Sequence, residues 1–212
     1  MLWAAGVAAS GAGADASDPV DRLVRQVYFE ALPYAEARAL GPGAAERLLT
    51  LLHDPEASEF HANVVLTLGI VGAPGTYEAL LNWAQGQGGG EVDRAGFRAR
   101  RALPHAMGHL AREDARALAW LARRAERSAA PSWSFGALGE ERLASLERRA
   151  SIQALALSGL PAARAELERL AGRPDVVADG RLAGSVREAL ALHATVSHEG
   201  VEAVLPHGGA TR

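Results

Sequence analysis

The chain has 212 residues, 49% of them apolar, enough to bury a sizeable core and too apolar for most of it to belong to the disordered class. Its formal net charge of -3 excludes the global basic field that drives sequence-independent binding to nucleic acid, and no run approaches the roughly 18 apolar residues of a membrane span. Cysteine and lysine are absent, which removes disulfides, thiolate metal sites, a Cys nucleophile, a Schiff-base lysine and a phosphate-loop lysine. Ala, Leu, Arg and Glu dominate and aromatic residues make up 5%, a composition that loses little side-chain entropy in helices, so an all-α protein is expected.

Residues 1–17 are small and apolar and carry Ala14-Asp15-Ala16, an arrangement that a signal peptidase cleaves, without the basic residues that open a signal. They read equally as a signal remnant or a flexible N-terminal segment, and the location as exported or cytoplasmic. Asp18 and Pro19 then suit a helix cap and first turn, and the helix is expected to run to about Ala31 before Pro33 ends it. A short helical turn over 34–40 follows, and a helix over 44–53 whose buried stripe is Leu48, Leu49, Leu51 and Leu52.

The stretch 58–83 reads as helix, turn, helix. Val64, Val65, Thr67, Leu68 and Val71 fall at helical spacing on one stripe, Gly72 to Gly75 stop the first helix, and Leu80, Leu81 and Trp83 restart the pattern. Residues 86–90, GQGGG, form a flexible break, and helices are expected over 94–110 and 114–127. Residues 128–139, SAAPSWSFGALG, are an inserted loop. Helices resume over 140–158 and 162–171, a loop covers 172–180, a long helix 182–196 and a short one 199–205, with 206–212 a disordered tail. Turns near Gly41, Gly72, Ala111, Gly159 and Ser197 are separated by 31, 39, 48 and 38 residues, and Gly69 and Gly108 take equivalent places in two successive helices. A period of about 40 with two helices in each unit predicts stacked helical hairpins, because one pair cannot bury its own apolar stripe.

Three stretches, EFHANVVLTLGIVGAP (59–74), RALPHAMGHLARED (101–114) and SIQALALSGLPAARAELERL (151–170), resemble the second helix and turn of HEAT-type repeats. The resemblance covers most of 41–205, with Ala111 and Arg112 in place of the turn Gly-Asp and Ala156 in place of the helix Gly. It implies an α-solenoid of about four HEAT-like helical hairpins, armadillo-like in outline, over residues 18–205. It specifies a scaffold rather than an activity.

His105 and His109 are the sharpest chemical feature, since two imidazoles four residues apart share one helix face and can bind one metal. They align with Leu66 and Ile70, outside the main buried stripe, and are expected on the inner surface. No acid lies between them, and further metal ligands are unassigned, so no metal or cofactor is assigned. Some iron-dependent hydroxylases are built from HEAT-like repeats with several His-Glu pairs. The single pair here, His198-Glu199, cannot make a two-metal site. The Gly-rich break lacks the Gly-Lys-Ser/Thr of a phosphate loop, and no serine has a nucleophile-elbow context.

Charge is uneven: residues 1–60 hold nine acids and four arginines, whereas residues 91–127 hold nine arginines and five acids. Arg94, Arg98, Arg101, Arg112, Arg116, Arg123 and Arg124 could form a basic middle, or a solvated face of local ion pairs. Without stacking aromatics, nucleic acid is not the expected partner. His61, Arg100, Arg148 and Arg187 occupy the position where the resemblance places an arginine at the start of the inner helix, a structural place bonded to neighbouring turns. Trp133 and Phe135 in the inserted loop are expected to tuck onto the edge of the stack or to meet a partner. The expected function is a non-catalytic scaffold or adaptor that takes a protein or peptide on the concave surface through His61, Arg100, His105, His109, Arg148 and Gln153, with Trp133 and Phe135 beside it. The alternative is a metal- or cofactor-dependent enzyme or lyase-like protein using His105 and His109.

Overall fold

A computed structural model of the chain describes residues 18–28, 31–127 and 131–205. The expected signal remnant and disordered tail lie outside these residues. The described residues form eleven α-helices packed against each other, compatible with a helical-repeat fold. None is long and apolar enough to cross a membrane.

The predicted punctuation places most helix ends. Helix α3 (Ala45–His53) follows a 3-10 turn at Pro42–Ala44 and buries Leu48, Leu51 and Leu52. Helix α4 (His61–Val71) and helix α5 (Thr76–Gly86) meet at the turn of Gly72. There the left-handed backbone at φ 66° suits glycine and lets its N–H bond the Leu68 carbonyl at 3.1 Å. Helix α6 (Arg94–Leu110) and helix α7 (Ala115–Glu126) start on Asp93 and Asp114, whose carboxylates accept from Gly96 and Arg116 backbone N–H groups. Helix α8 (Glu140–Ser158) ends on left-handed Gly159, and helix α9 (Pro161–Ala171) opens on its proline. Helix α11 (Gly180–Glu199) is capped by Asp179.

Helices α4, α6, α8 and α11 each pack on the next, α3 and α5 pack against α4, α5 and α7 against α6, and α7 and α9 against α8. One continuous core runs through the row, from Leu48, Val64 and Leu68 through Met107 and Leu121 to Ile152, Leu155, Leu167 and Val186. Helix α4 is buried on nearly every side and not on a single stripe. Ile70, expected outside the main buried stripe, is only 4% exposed.

The reason is the N-terminal segment, which departs most from expectation. Helix α1 (Pro19–Val24) stops a full two turns before Ala31 because side chains from elsewhere take over its last carbonyls. Asn63 of α4 donates to the carbonyls of Val24 and Gln26 at 2.8 and 3.0 Å, and the Tyr28 hydroxyl donates to the Leu23 carbonyl at 2.9 Å. Helix α2 (Tyr34–Ala39) lies on α4. Leu23, Leu32, Ala37 and Ile70 form a second small core. Tyr34 reaches a third, made by Leu157, Val196 and Val201 at the far end of the row. Asp21, 1% exposed, anchors α1 to α3 by accepting from Arg47 at 2.7 Å and from Arg25 at 3.0 Å.

Two loops are more ordered than expected. Strand β1 (Gly90–Glu91), at the end of the Gly-rich break, pairs in parallel with strand β2 (Trp133–Ser134) of the inserted loop, Gly90 opposite Trp133 and Glu91 opposite Ser134. Residues 172–180 also contain a helical turn, α10 (Pro174–Ala178), which buries Val176. The short helix expected over 199–205 is a 3-10 turn at Val201–Ala203.

Candidate functional site

The residues singled out from the sequence fall into three places. His61, Arg100 and Arg148, the first group, sit at equivalent points near the start or middle of central helices, and each reaches back to the end of a flanking element. His61 Nε2 lies 3.1 Å from both the Leu51 and the Asp54 carbonyl oxygens, so that nitrogen carries the proton and donates. Arg100 Nη2 donates to the carbonyls of Gln87 and Gly88 at 3.3 and 3.2 Å, beyond the end of α5. Arg148 donates from Nε to the Ala125 carbonyl at 2.8 Å and from Nη2 to the Glu126 carbonyl at 3.2 Å, and Nη2 also meets Asp175 at 2.9 Å. Carbonyls at helix C-termini lack partners within the helix, so each side chain supplies the missing donor and ties one flanking helix to the neighbouring central one. Arg187 is exposed and makes no such bond among the described residues, because α10 is inserted between α9 and α11. His61 and Arg100 also border a cavity of about 440 Å³ with Trp83 and Asp93.

Trp133 and Phe135 form the second place. Trp133 is 7% exposed, with the Arg100 guanidinium 5.3 Å above its ring and the edge of Phe97 at 6.0 Å. Phe135 stacks on Phe97 at 4.2 Å between ring centres. Both rings are therefore packed against the start of α6, and Trp133 is a core residue of the edge rather than an open surface.

The third place is a face of the central helices α6 and α8. Arg98, Arg101, His105 and His109 follow one another there along α6 at spacings of three and four, and Arg149 and Gln153 do so along α8. Arg98 and Gln153 are exposed, while Arg101, His105, His109 and Arg149 are partly buried. Arg101 Nη1 donates to the Leu146 carbonyl at 2.8 Å and so bridges α6 to α8. Burial holds the Arg101 guanidinium below the usual arginine value; Glu147 opposes this and Arg149 adds to it. Arg149 Nε is buried with no hydrogen-bond partner among the described residues. Burial and Arg101 push His105 down to about 4, and burial, His105 and Arg112 push His109 down to about 3. Both imidazoles are neutral at pH 7.

Tyr28, residues 31–33 and α2 cover part of this face. The Tyr34 ring lies on His109 with centres 5.4 Å apart, and Arg38 donates to the Ile70 carbonyl at 3.1 Å and pairs with Glu113 at 3.7 Å. His109 is thus not a free surface group. Between α6, α4 and the covering segment a groove of about 330 Å³ remains, lined by Arg98, Arg101 and His105, with Phe97, Leu66 and Tyr28 as apolar walls.

Metal binding finds little support in this setting. No group of three or more His, Asp or Glu residues suited to an ion occurs among the described residues. Arg101 and Arg112 also beside the two imidazoles would repel a divalent cation. Three of the arginines expected as a basic middle are spent locally. Arg116 pairs with Asp114 and Glu78, Arg124 with Glu147 at 2.7 Å, and Arg112 donates to the Ser158 carbonyl at 2.8 Å.

Sequence reasoning missed Arg149, Tyr28 and Tyr34. The first was within reach, because Arg149 lies four residues before Gln153 on one helix and so shares its face. The tyrosines carried no such signal, since their place depends on helices far away in the chain. Comparison of the chain with protein-family models, with curated proteins and with solved structures gives no match.

Proposed function

We propose that the chain is a non-catalytic binding scaffold, an α-solenoid of about four HEAT-like hairpins that takes a protein or peptide partner on the open face of its central helices. The observation that carries this reading is the recurrence of one device, the donor side chain on a central helix that closes a flanking turn, at His61, Arg100 and Arg148. A device repeated at equivalent places belongs to an array of like units, and arrays of this kind present one extended face. With His61, Arg100 and Arg148 committed to the frame and His109 beneath Tyr34, the partner-facing residues reduce to Arg98, Arg101, His105, Arg149 and Gln153.

Capture from a native extract tests the proposal when the same partner is followed across variants. Gln153→Glu and Arg98→Glu on the open face are expected to abolish capture without changing the melting temperature, whereas Arg164→Glu on α9 leaves capture intact. Equal capture by all three variants, or loss through Arg164→Glu alone, removes the open face as the binding surface. The enzymatic alternative is not favoured, because the arginines beside His105 and His109 oppose the cation such chemistry would use.

A further inference from the structure

We infer that the groove beside α6 receives an acidic segment of the partner, one carrying a carboxylate next to an apolar side chain. This inference rests on the scaffold reading above and deepens it by naming the chemistry of what binds.

The walls of the groove carry two kinds of chemistry. Phe97, Leu66, Leu32 and Ala102 give it an apolar lining, while Arg98, Arg101 and His105 supply donors along one side. Among the described residues no carboxylate pairs with Arg98 or Arg101 on that side. Arg98 has no ion pair among the described residues. Arg101 bonds only a carbonyl, Leu146 O, and is repelled by Arg149. The carboxylate that Arg101 feels, Glu147, is already bonded to Arg124 at 2.7 Å. Like charges held together at partial burial raise the energy of the unbound state, and a bound carboxylate would relieve it by charge-assisted bonds to guanidinium groups. The contrast with the other side of the molecule is direct. There Arg169 and Arg173 share Glu126, Arg173 and Arg148 share Asp175, and Arg164 pairs with Glu168.

A protein segment fits better than nucleic acid. The groove, at about 330 Å³, holds one or two side chains and has apolar walls, whereas a nucleic-acid strand needs a continuous basic track and stacking rings. Phe97, on the groove wall, is already stacked on Phe135 at 4.2 Å.

The test uses the full chain and three fluorescent probes: a short peptide of alternating Glu and Leu with one Phe, the same peptide with every Glu replaced by Gln, and a single-stranded oligonucleotide of equal charge. The acidic peptide is expected to bind, the Gln peptide at least about tenfold more weakly, and Arg98→Glu to weaken the acidic peptide by about tenfold while Arg98→Lys and Arg164→Glu do not. Binding is also expected to weaken as salt rises. Equal affinity for the acidic and Gln peptides, tighter binding of the oligonucleotide, or no binding of the acidic peptide overturns the inference. A native partner whose capture needs Gln153 but is indifferent to Arg98→Glu removes the acidic specificity and leaves the scaffold reading standing.

Discussion

Gly69 of α4 meets the backbone of Ala106 of α6 so closely that a Cβ on Gly69 would lie 2.3 Å from the Ala106 carbonyl oxygen. One helix further along the row, a Cβ on Gly108 would lie 2.6 Å from the Ala154 carbonyl oxygen. The missing side chains let successive central helices approach at the same level, and this explains why the two glycines occupy equivalent places in the sequence. Gly69→Ala and Gly108→Ala are each expected to cost about 1–3 kcal/mol, because backbone and not a flexible side chain must move. Gly184→Ala, in α11 with nothing within 4 Å of the added Cβ, is expected to stabilise by about 0.5–1 kcal/mol through helix propensity. Urea unfolding of the three variants measures the contrast, and equal destabilisation would mean that the close approach does not govern the packing.

Acid is expected to weaken the fold well above the carboxylate range. His105 and His109 are held neutral in the folded chain, down to about 4 and about 3, by burial and by their neighbours Arg101 and Arg112, with Tyr34 also against His109. An unfolded histidine takes its proton near 6.5, so between there and about 4 the unfolded state binds protons that the folded state refuses. Stability therefore falls as pH drops through this window, by about 2 kcal/mol for each imidazole between pH 7 and pH 5. His109→Gln should flatten the dependence even if it lowers stability at pH 7. A wild-type denaturation midpoint that does not change between pH 7 and pH 5 would contradict the buried neutral imidazoles.

Trp133→Ala is expected to lower stability by about 3 kcal/mol, since the indole is buried between Phe97 and Arg100 and its loss leaves a cavity. Pairing of Gly90 with the inserted loop should weaken with it, seen as faster exchange of the Gly90 and Val92 amides that bond the Ser132 and Ser134 carbonyls at 3.1 and 2.9 Å. Unchanged melting would make the ring an exposed contact group instead.

Removing the guanidinium of Arg148 leaves the Ala125 and Glu126 carbonyls without a donor at the end of α7, and Arg148→Ala is expected to cost about 1–3 kcal/mol. The loss should appear as faster amide exchange in the last turn of α7 and in α10, where Asp175 loses one of its two arginines. Arg187→Ala, with no comparable bond, is expected to stay within about 0.5 kcal/mol of wild type in the same unfolding experiment.

Much of the helical framework was legible because its signals are local. Gly72 and Gly159 end helices where turns are expected, and the apolar spacing between the turns needs no knowledge of the rest of the chain. The spacing also puts Gly69 and Gly108 at corresponding positions, and of His61, Arg100, Arg148 and Arg187, read from the sequence as one position, the first three donate to a neighbouring turn and Arg187 makes no such bond among the described residues. Tertiary structure decided the rest. The end of α1 at Val24 depends on Asn63, 39 positions away, and the cover over Ile70 and His109 depends on Leu32, Tyr34 and Ala37 meeting helices they do not neighbour in the chain. The open face itself belongs to this second class. Which of Arg98, Arg101, His105, His109 and Arg149 remain uncompensated follows from where distant carboxylates and rings come to rest, and pairing energies of that kind carry no local periodicity for a sequence to display.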